Sequence, residues 1–214
     1  MKDIIRRSPV VFNKTPIKTE KRGDWTVVRA YENEGQGPFL VDLSHKTRWD
    51  LQDEDLDRLK PWDITIPNVP GEAVFKNDML INRMNATQAS IWNMDGSDIT
   101  EPDNPAYTET TDATVCLALL GKNILSIAEK VSSLDFSESE KPDPCLFQGP
   151  FNHVPCQSIM VDKSSEDACL LLTCSRGYAR DMIHGLLEAG SEFKLEPAGE
   201  AVFSNWLKNR MQKT

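Results

Sequence analysis

Between residues 113 and 196 the hydrophobic period switches back and forth between two and 3.6, and no other feature of the chain restricts its fold as much. Residues 113–120 form an apolar run closed by Gly121, the pattern of a buried strand. In residues 123–131, Ile124, Leu125, Ala128 and Val131 share one helical stripe. Residues 132–144 are polar, acidic and end in Pro144, which predicts a loop. Residues 153–162 and 167–174 are strand candidates joined by the polar connection Lys163-Ser164-Ser165-Glu166. Residues 177–189 place Tyr178, Met182, Ile183, Leu186 and Leu187 at helical spacing, with Gly190 as the C-terminal cap. A last short strand is expected at 192–196. An amphipathic helix follows at 199–211, with Val202, Phe203, Trp206 and Leu207 inward.

Strand, helix, strand, strand, helix, strand is the order of a ferredoxin-like βαββαβ unit, so the chain is expected to be α+β. The first half is less regular. Residues 25–31 and 39–43 read as strands around the turn-forming Asn33-Glu34-Gly35-Gln36-Gly37-Pro38. Residues 53–60 predict a short acidic helix ended by Pro61, and 79–84 and 88–94 two more strands. The expected division is a basic arm over 1–22, a first lobe over 23–110, and the βαββαβ lobe plus a C-terminal helix over 111–214.

Charge is unevenly placed. Residues 1–22 carry seven basic and two acidic side chains, a net of +5, which leaves −14 on the remainder of a chain totalling −9. An acidic body repels phosphate backbones, so nucleic acid is not an expected partner. The basic arm can tie down on its own body or on an acidic neighbour, or stay exposed as a mobile terminus. No run approaches the roughly 18 apolar residues of a membrane helix. Residues 1–11 lack the apolar stretch and cleavage site of a secretory leader. A cytoplasmic chain with no membrane partner is therefore expected, and its five cysteines as reduced thiols.

Motifs for chemistry are few. Asp53, Asp55 and Asp57 imitate the start of a calcium loop, but Arg58 stands at the glycine position and Ile64 at the bidentate glutamate position. Cys145, His153, Cys156, Cys169 and Cys174 invite a zinc reading. Cys169 and Cys174 differ by five, which on a strand turns them to opposite faces, so buried thiols are the simpler account and no metal is expected. Gly35-Gln36-Gly37 has Leu40 where a dinucleotide fingerprint needs its third glycine. Of the five tryptophans, Trp206 fits a core, and Trp49 and Trp92 fit either a core or a subunit contact.

Several segments resemble known proteins. Phe39-Leu40-Val41-Asp42-Leu43-Ser44-His45 is similar to the strand and turn near the start of the folate-binding domain of glycine-cleavage aminomethyltransferases. Residues 111–121 and 187–199 resemble later landmarks of that domain. The closer resemblance is to the gamma subunit of heterotetrameric sarcosine oxidase. It is carried by Arg7-Ser8-Pro9, Ile81-Asn82-Arg83, Thr87-Gln88-Ala89, residues 148–156 and Cys174-Ser175-Arg176-Gly177-Tyr178, and it spans about residues 7 to 207.

This resemblance implies a two-lobed folate-binding fold. It also implies a place in an assembly that oxidises sarcosine to glycine and passes the one-carbon unit to tetrahydrofolate. FAD, FMN, NAD and tetrahydrofolate are then implied for the large flavin- and folate-binding partner subunits, and no cofactor for this chain alone. The gamma-type subunit in such a complex packs against the large subunits without catalytic residues of its own. Two departures from active aminomethyltransferases agree: residues 81–94 hold no acid before Asp95, and nothing between 153 and 175 resembles a Gly-Tyr-Thr-Gly-Glu segment. A group that grips or protonates folate must lie within hydrogen-bond reach of it. The alternatives are a stand-alone tetrahydrofolate-binding or one-carbon-transfer protein, and an interaction module that borrows the fold. Arg48, Arg83 and Arg176 are the candidate cleft or interface cations, able to meet a carboxylate with two parallel bonds, and each can equally be an ordinary surface ion pair.

Overall fold

The computed structural model describes residues 5–97 and 99–212. Its strands are β1 (Pro16–Arg22), β2 (Trp25–Tyr31), β3 (Phe39–Asp42), β4 (Arg48–Gln52), β5 (Ala73–Lys76), β6 (Met79–Arg83), β7 (Gln88–Asn93), β8 (Tyr107–Glu109) and β9 (Thr114–Leu120). Helix α1 (Ile124–Val131) follows, then β10 (Cys145–Phe151), β11 (Val154–Asp162), β12 (Cys169–Ser175), α2 (Ala179–Ala189), β13 (Glu196–Ala198) and α3 (Glu200–Met211). They form a β1-β2 ribbon, a six-stranded sheet ordered β10-β11-β12-β9-β3-β13 and a five-stranded sheet ordered β5-β6-β7-β4-β8.

β9 shows why the apolar run was so legible. Val115, Leu117 and Leu119 enter one core with α1, α2 and alternate residues of β12. Cys116, Ala118 and Leu120 enter a second core with Leu80 and Trp92 of the other sheet and Phe203 and Leu207 of α3. A strand buried on both faces is apolar at every position rather than at every second one. The layers are thus α1 and α2, the six-stranded sheet, and then α3 with the five-stranded sheet. A third core, with Trp49, Leu51 and Ile91, fills the outer face of the five-stranded sheet under Leu56, Ile64 and Ile66.

Strands β9, β11 and β12 and helices α1 and α2 occupy the segments that periodicity assigned to them. Two strands join this unit unannounced. β3 pairs antiparallel with β9 and separates it from β13, which runs parallel to β3. A strand of the expected first lobe therefore lies inside the second lobe's sheet. β10 forms the far edge against β11, where Pro150 costs no ladder bond.

Other expectations need correction. Residues 192–196 are not the last strand: Ser191–Phe193 is a 3-10 turn, Lys194 takes the left-handed conformation, and pairing begins at Glu196. Gly190 does cap α2, as expected, in a right-handed conformation with φ −85° and ψ −1°. Its missing side chain makes room for Leu195, whose Cβ would lie 2.4 Å from a Cβ at this position. The acidic helix at 53–60 shrinks to one 3-10 turn, Leu56–Arg58, because the Asp53 carboxylate accepts the Asp55 amide at 2.8 Å and opens a turn instead.

The described part of the basic arm is bound to its own acidic body. Arg6 pairs with Asp112 at 3.2 Å and Lys14 with Glu196 at 2.9 Å, and β1 is zipped along β2. Among the described residues no helix is long and apolar enough to cross a membrane.

Candidate functional site

The three candidate arginines lie in different places. Arg48, at the start of β4, is 1% exposed. Its Nη2 donates to the Thr111 carbonyl at 2.9 Å and its Nε to Thr114 Oγ1 at 3.1 Å, while Nη1 reaches the Lys46 carbonyl. Burial pulls its pKa below the ordinary arginine value, and nearby Cys116 and Asp42 oppose that. Arg83 donates to the carbonyls of Asn85 at 2.7 Å and Ala86 at 2.8 Å, and pairs with Asp57 at 3.1 Å. Both guanidiniums clamp loops. Arg176, half-buried ahead of α2, reaches the Arg7 carbonyl with Nη2, and its buried Nη1 has no hydrogen-bond partner among the described residues.

A dense group of ionisable side chains centres instead on Glu200, in the first turn of α3, where the helix dipole favours an anion. Its side chain is fully buried. Arg22, closing β1, contacts its two oxygens at 3.2 and 3.3 Å. Lys46 Nζ donates to Oε1 at 2.9 Å, as does Ser204 Oγ, and Arg29 of β2 reaches Oε2. His45 Nε2 lies 3.3 Å from Arg22 Nη1. The helix is brought this close by Gly199: a Cβ there would lie 2.3 Å from the Arg29 carbonyl carbon and oxygen.

Electrostatics sort the members of this knot. Burial, then the cations Lys46 and Arg22, hold His45 well below its ordinary pKa, so the imidazole is neutral at pH 7. Lys46 is pushed down to about 7, first by burial and then by Arg22. Its contact with Glu200 would by itself raise the pKa. That carboxylate is already shared by two guanidiniums, so desolvation and repulsion win. Glu20, half-exposed, takes up part of the same guanidinium charge, and Arg22 in turn holds its carboxyl below the usual range. A lysine titrating near neutrality is the chemistry of a proton acceptor, yet Lys46 is 1% exposed and lines none of the described cavities. The knot fastens β1, β2, the β3–β4 turn and α3 together.

Beside it, Asp42 faces a cavity with room for about one water, lined also by Ser8, Tyr31 and His45. Burial raises the Asp42 pKa against hydrogen bonds from Ser8 and Ser44, and burial, then Asp42, pushes Tyr31 up to about 12. Between the sheets, fully buried Asn82 donates to Ser90 Oγ at 3.2 Å while its Oδ1 has no partner among the described residues.

Sequence reasoning missed Glu200, Lys46 and Asn82. The only local signal was an acid one residue after Gly199 at a helix start. The five cysteines are buried and free. Cys169 and Cys174 fall in different cores on opposite faces of the sheet, as their spacing required.

No protein-family model matches the chain, and no curated protein does. Solved structures do match. A chain of heterotetrameric sarcosine oxidase from Corynebacterium sp. U-96, in complex with pyrrole 2-carboxylate, superposes with a TM-score of 0.60 at 13% identity, over 72% of this chain and 84% of that one. Glycine cleavage system aminomethyltransferase T from Bartonella henselae superposes with a TM-score of 0.58 at 14% identity, over 87% of this chain and 57% of that one. The fold is thus the α+β, aminomethyltransferase-like folate-binding fold that the resemblance implied.

Proposed function

We propose that this chain is a non-catalytic, gamma-type subunit of a heterotetrameric sarcosine-oxidase-like complex, which demethylates sarcosine to glycine and delivers the one-carbon unit to tetrahydrofolate. One observation carries the reading. The match to a sarcosine oxidase chain spans 84% of that chain, whereas aminomethyltransferase T has 57% of its length covered.

The side chains support the same reading. Tetrahydrofolate would need cations for its glutamyl carboxylates and an acid near its pterin. Arg48 and Arg83 are taken up by carbonyls and Asp57, and residues 81–94 offer the amide of Asn82 but no acid. These residues do not fit the group, so no step is routed through it. FAD, FMN, NAD and tetrahydrofolate are assigned to the large partner subunits, and the complex to the cytoplasm.

Co-expression with the large subunits of such a complex tests the proposal. Co-elution as one assembly with sarcosine-dependent glycine formation is expected. A chain that stays monomeric beside every large subunit overturns it. Calorimetry with tetrahydrofolate separates the stand-alone alternative, which requires micromolar binding by the isolated chain.

A further inference from the structure

An apolar groove of about 410 Å³ runs between residues 9–13 and α2, floored by Phe12, Ile183 and Leu187 and edged by Pro9 and Val11. Val11 is 82% exposed, the largest value among the exposed large hydrophobic side chains of the described residues, and Tyr178 ahead of α2 is 47% exposed. Leaving such a side chain in water at the lip of a groove forgoes the stabilisation that burial gives.

The rim is cationic on a chain whose net charge is −9. Arg180 and His184, four residues apart on α2, line the groove. Arg7 precedes its Pro9 edge. The exposed side chains of Arg7 and Arg180 have no hydrogen bond or ion pair among the described residues. Arg176 is held against the Arg7 carbonyl with its Nη1 unsatisfied. Two acids share this helix: exposed Asp181, and Glu188, which lies 3.9 Å from His184. Elsewhere on the arm, Arg6, Lys14 and Arg22 are neutralised by Asp112, Glu196 and Glu200. Arg7 and Arg180 thus place two cations without a partner among the described residues beside open apolar surface, whereas exposed Lys18 and Lys21 of β1 do not line the groove.

We propose that this groove is a docking site for an acidic amphipathic segment of a partner protein, its apolar side chains seated against Val11, Phe12 and Leu187 and its carboxylates meeting Arg7 and Arg180. This rests on the subunit reading for the partner's identity, and on charge complementarity for its chemistry.

Two experiments on the full chain separate the two readings. The first uses a pair of 18-residue helical peptides with the same Leu and Phe positions, one with Glu and one with Lys at the polar positions, read by fluorescence anisotropy. The Glu peptide is expected to bind at least tenfold more tightly, to weaken with salt, and to lose about tenfold to Val11→Asp or Arg180→Glu in chains whose melts are unchanged. Equal binding of both peptides, binding of neither, or indifference to both substitutions overturns the proposal. So does a second occupant: a dimer in sedimentation that Val11→Asp abolishes, or capture by anionic lipid vesicles without peptide binding. The second repeats the co-expression with Val11→Asp, Arg180→Glu and the distant Glu54→Ala. A complex lost with the first two and kept with the third supports the groove. A complex kept with all three overturns it while leaving the subunit reading intact.

Discussion

Lys46 Nζ lies 2.9 Å from Glu200 Oε1, and neither side chain is open to water. The carboxylate is the buried counter-ion for Arg22 and Arg29 as well. Removing one partner of a buried ionic group costs roughly 3–5 kcal/mol, because the charges left behind stay desolvated. Glu200→Gln is therefore expected to destabilise the fold by about that amount in urea unfolding. Lys46→Met, which takes away a buried cation and leaves Glu200 paired with both arginines, is expected to be close to neutral. Equal losses for the two would contradict this ranking.

The same knot sets the pH response. His45 is held well below 6.5 in the fold, so the unfolded chain binds the proton first. The stability that depends on its neutrality is complete above pH 6.5 and is lost as pH falls below it. Lys46, at about 7 in the fold against 10.5 unfolded, has the same sign in a higher window: its contribution is complete above pH 10.5 and is lost as pH falls to 7. Each slope is at most about 1.4 kcal/mol per pH unit. Thermal melts should show His45→Gln flattening the profile between pH 6.5 and 5, and Lys46→Met flattening it between 7 and 9.

Arg48 makes a different demand. Its guanidinium gathers the carbonyls of Ser44, Lys46, Thr111 and Thr114, so it joins the β3–β4 turn to the start of β9. A lysine reaches one such point, not four, and the abandoned acceptors remain buried. Arg48→Lys is expected to cost on the order of 3 kcal/mol in chemical denaturation, with Arg48→Met no better. A loss as small as that of an exposed ion pair, under about 1 kcal/mol, would show that water replaces the arginine.

What the sequence disclosed and what it hid divide along a physical line. β9, β11, β12, α1 and α2 were legible because each buries faces whose period survives in the local sequence. β10 was hidden by Gly149 and Pro150, tolerated at a sheet edge, and β13 by a three-residue length that carries no period. The insertion of β3 beside β9 is a pairing between residues 39–42 and 117–120, and no local pattern encodes it. The knot is farther still from local, since Arg22 and Glu200 are 178 residues apart. Single-residue chemistry suggested arginines as ligands, and only the fold shows how many carbonyls Arg48 and Arg83 already serve.

Gly199 and Gly185 allow a matched test of how tightly the C-terminal helices are seated. Gly199 has φ −76°, a conformation open to any residue, so only space is at issue. A Cβ there would lie 2.3 Å from the Arg29 carbonyl and 2.5 Å from the Ala30 nitrogen, backbone atoms that cannot step aside without parting β2 from α3. A Cβ at Gly185, inside α2, would come equally close to the Asn152 amide, at 2.2 Å, but that is the end of a side chain. Asn152 can swing out at the loss of its 3.1 Å bond to the Asp181 carbonyl, about 1 kcal/mol. Alanine's advantage over glycine within a helix returns about as much. Gly199→Ala is therefore expected to destabilise by about 3 kcal/mol, and Gly185→Ala by less than about 1 kcal/mol. Calorimetric melts of the two variants decide it. A Gly199→Ala protein as stable as the parent would mean that α3 can withdraw from β2, and that the contacts of Glu200 with Arg22 and Arg29 are not what anchors it.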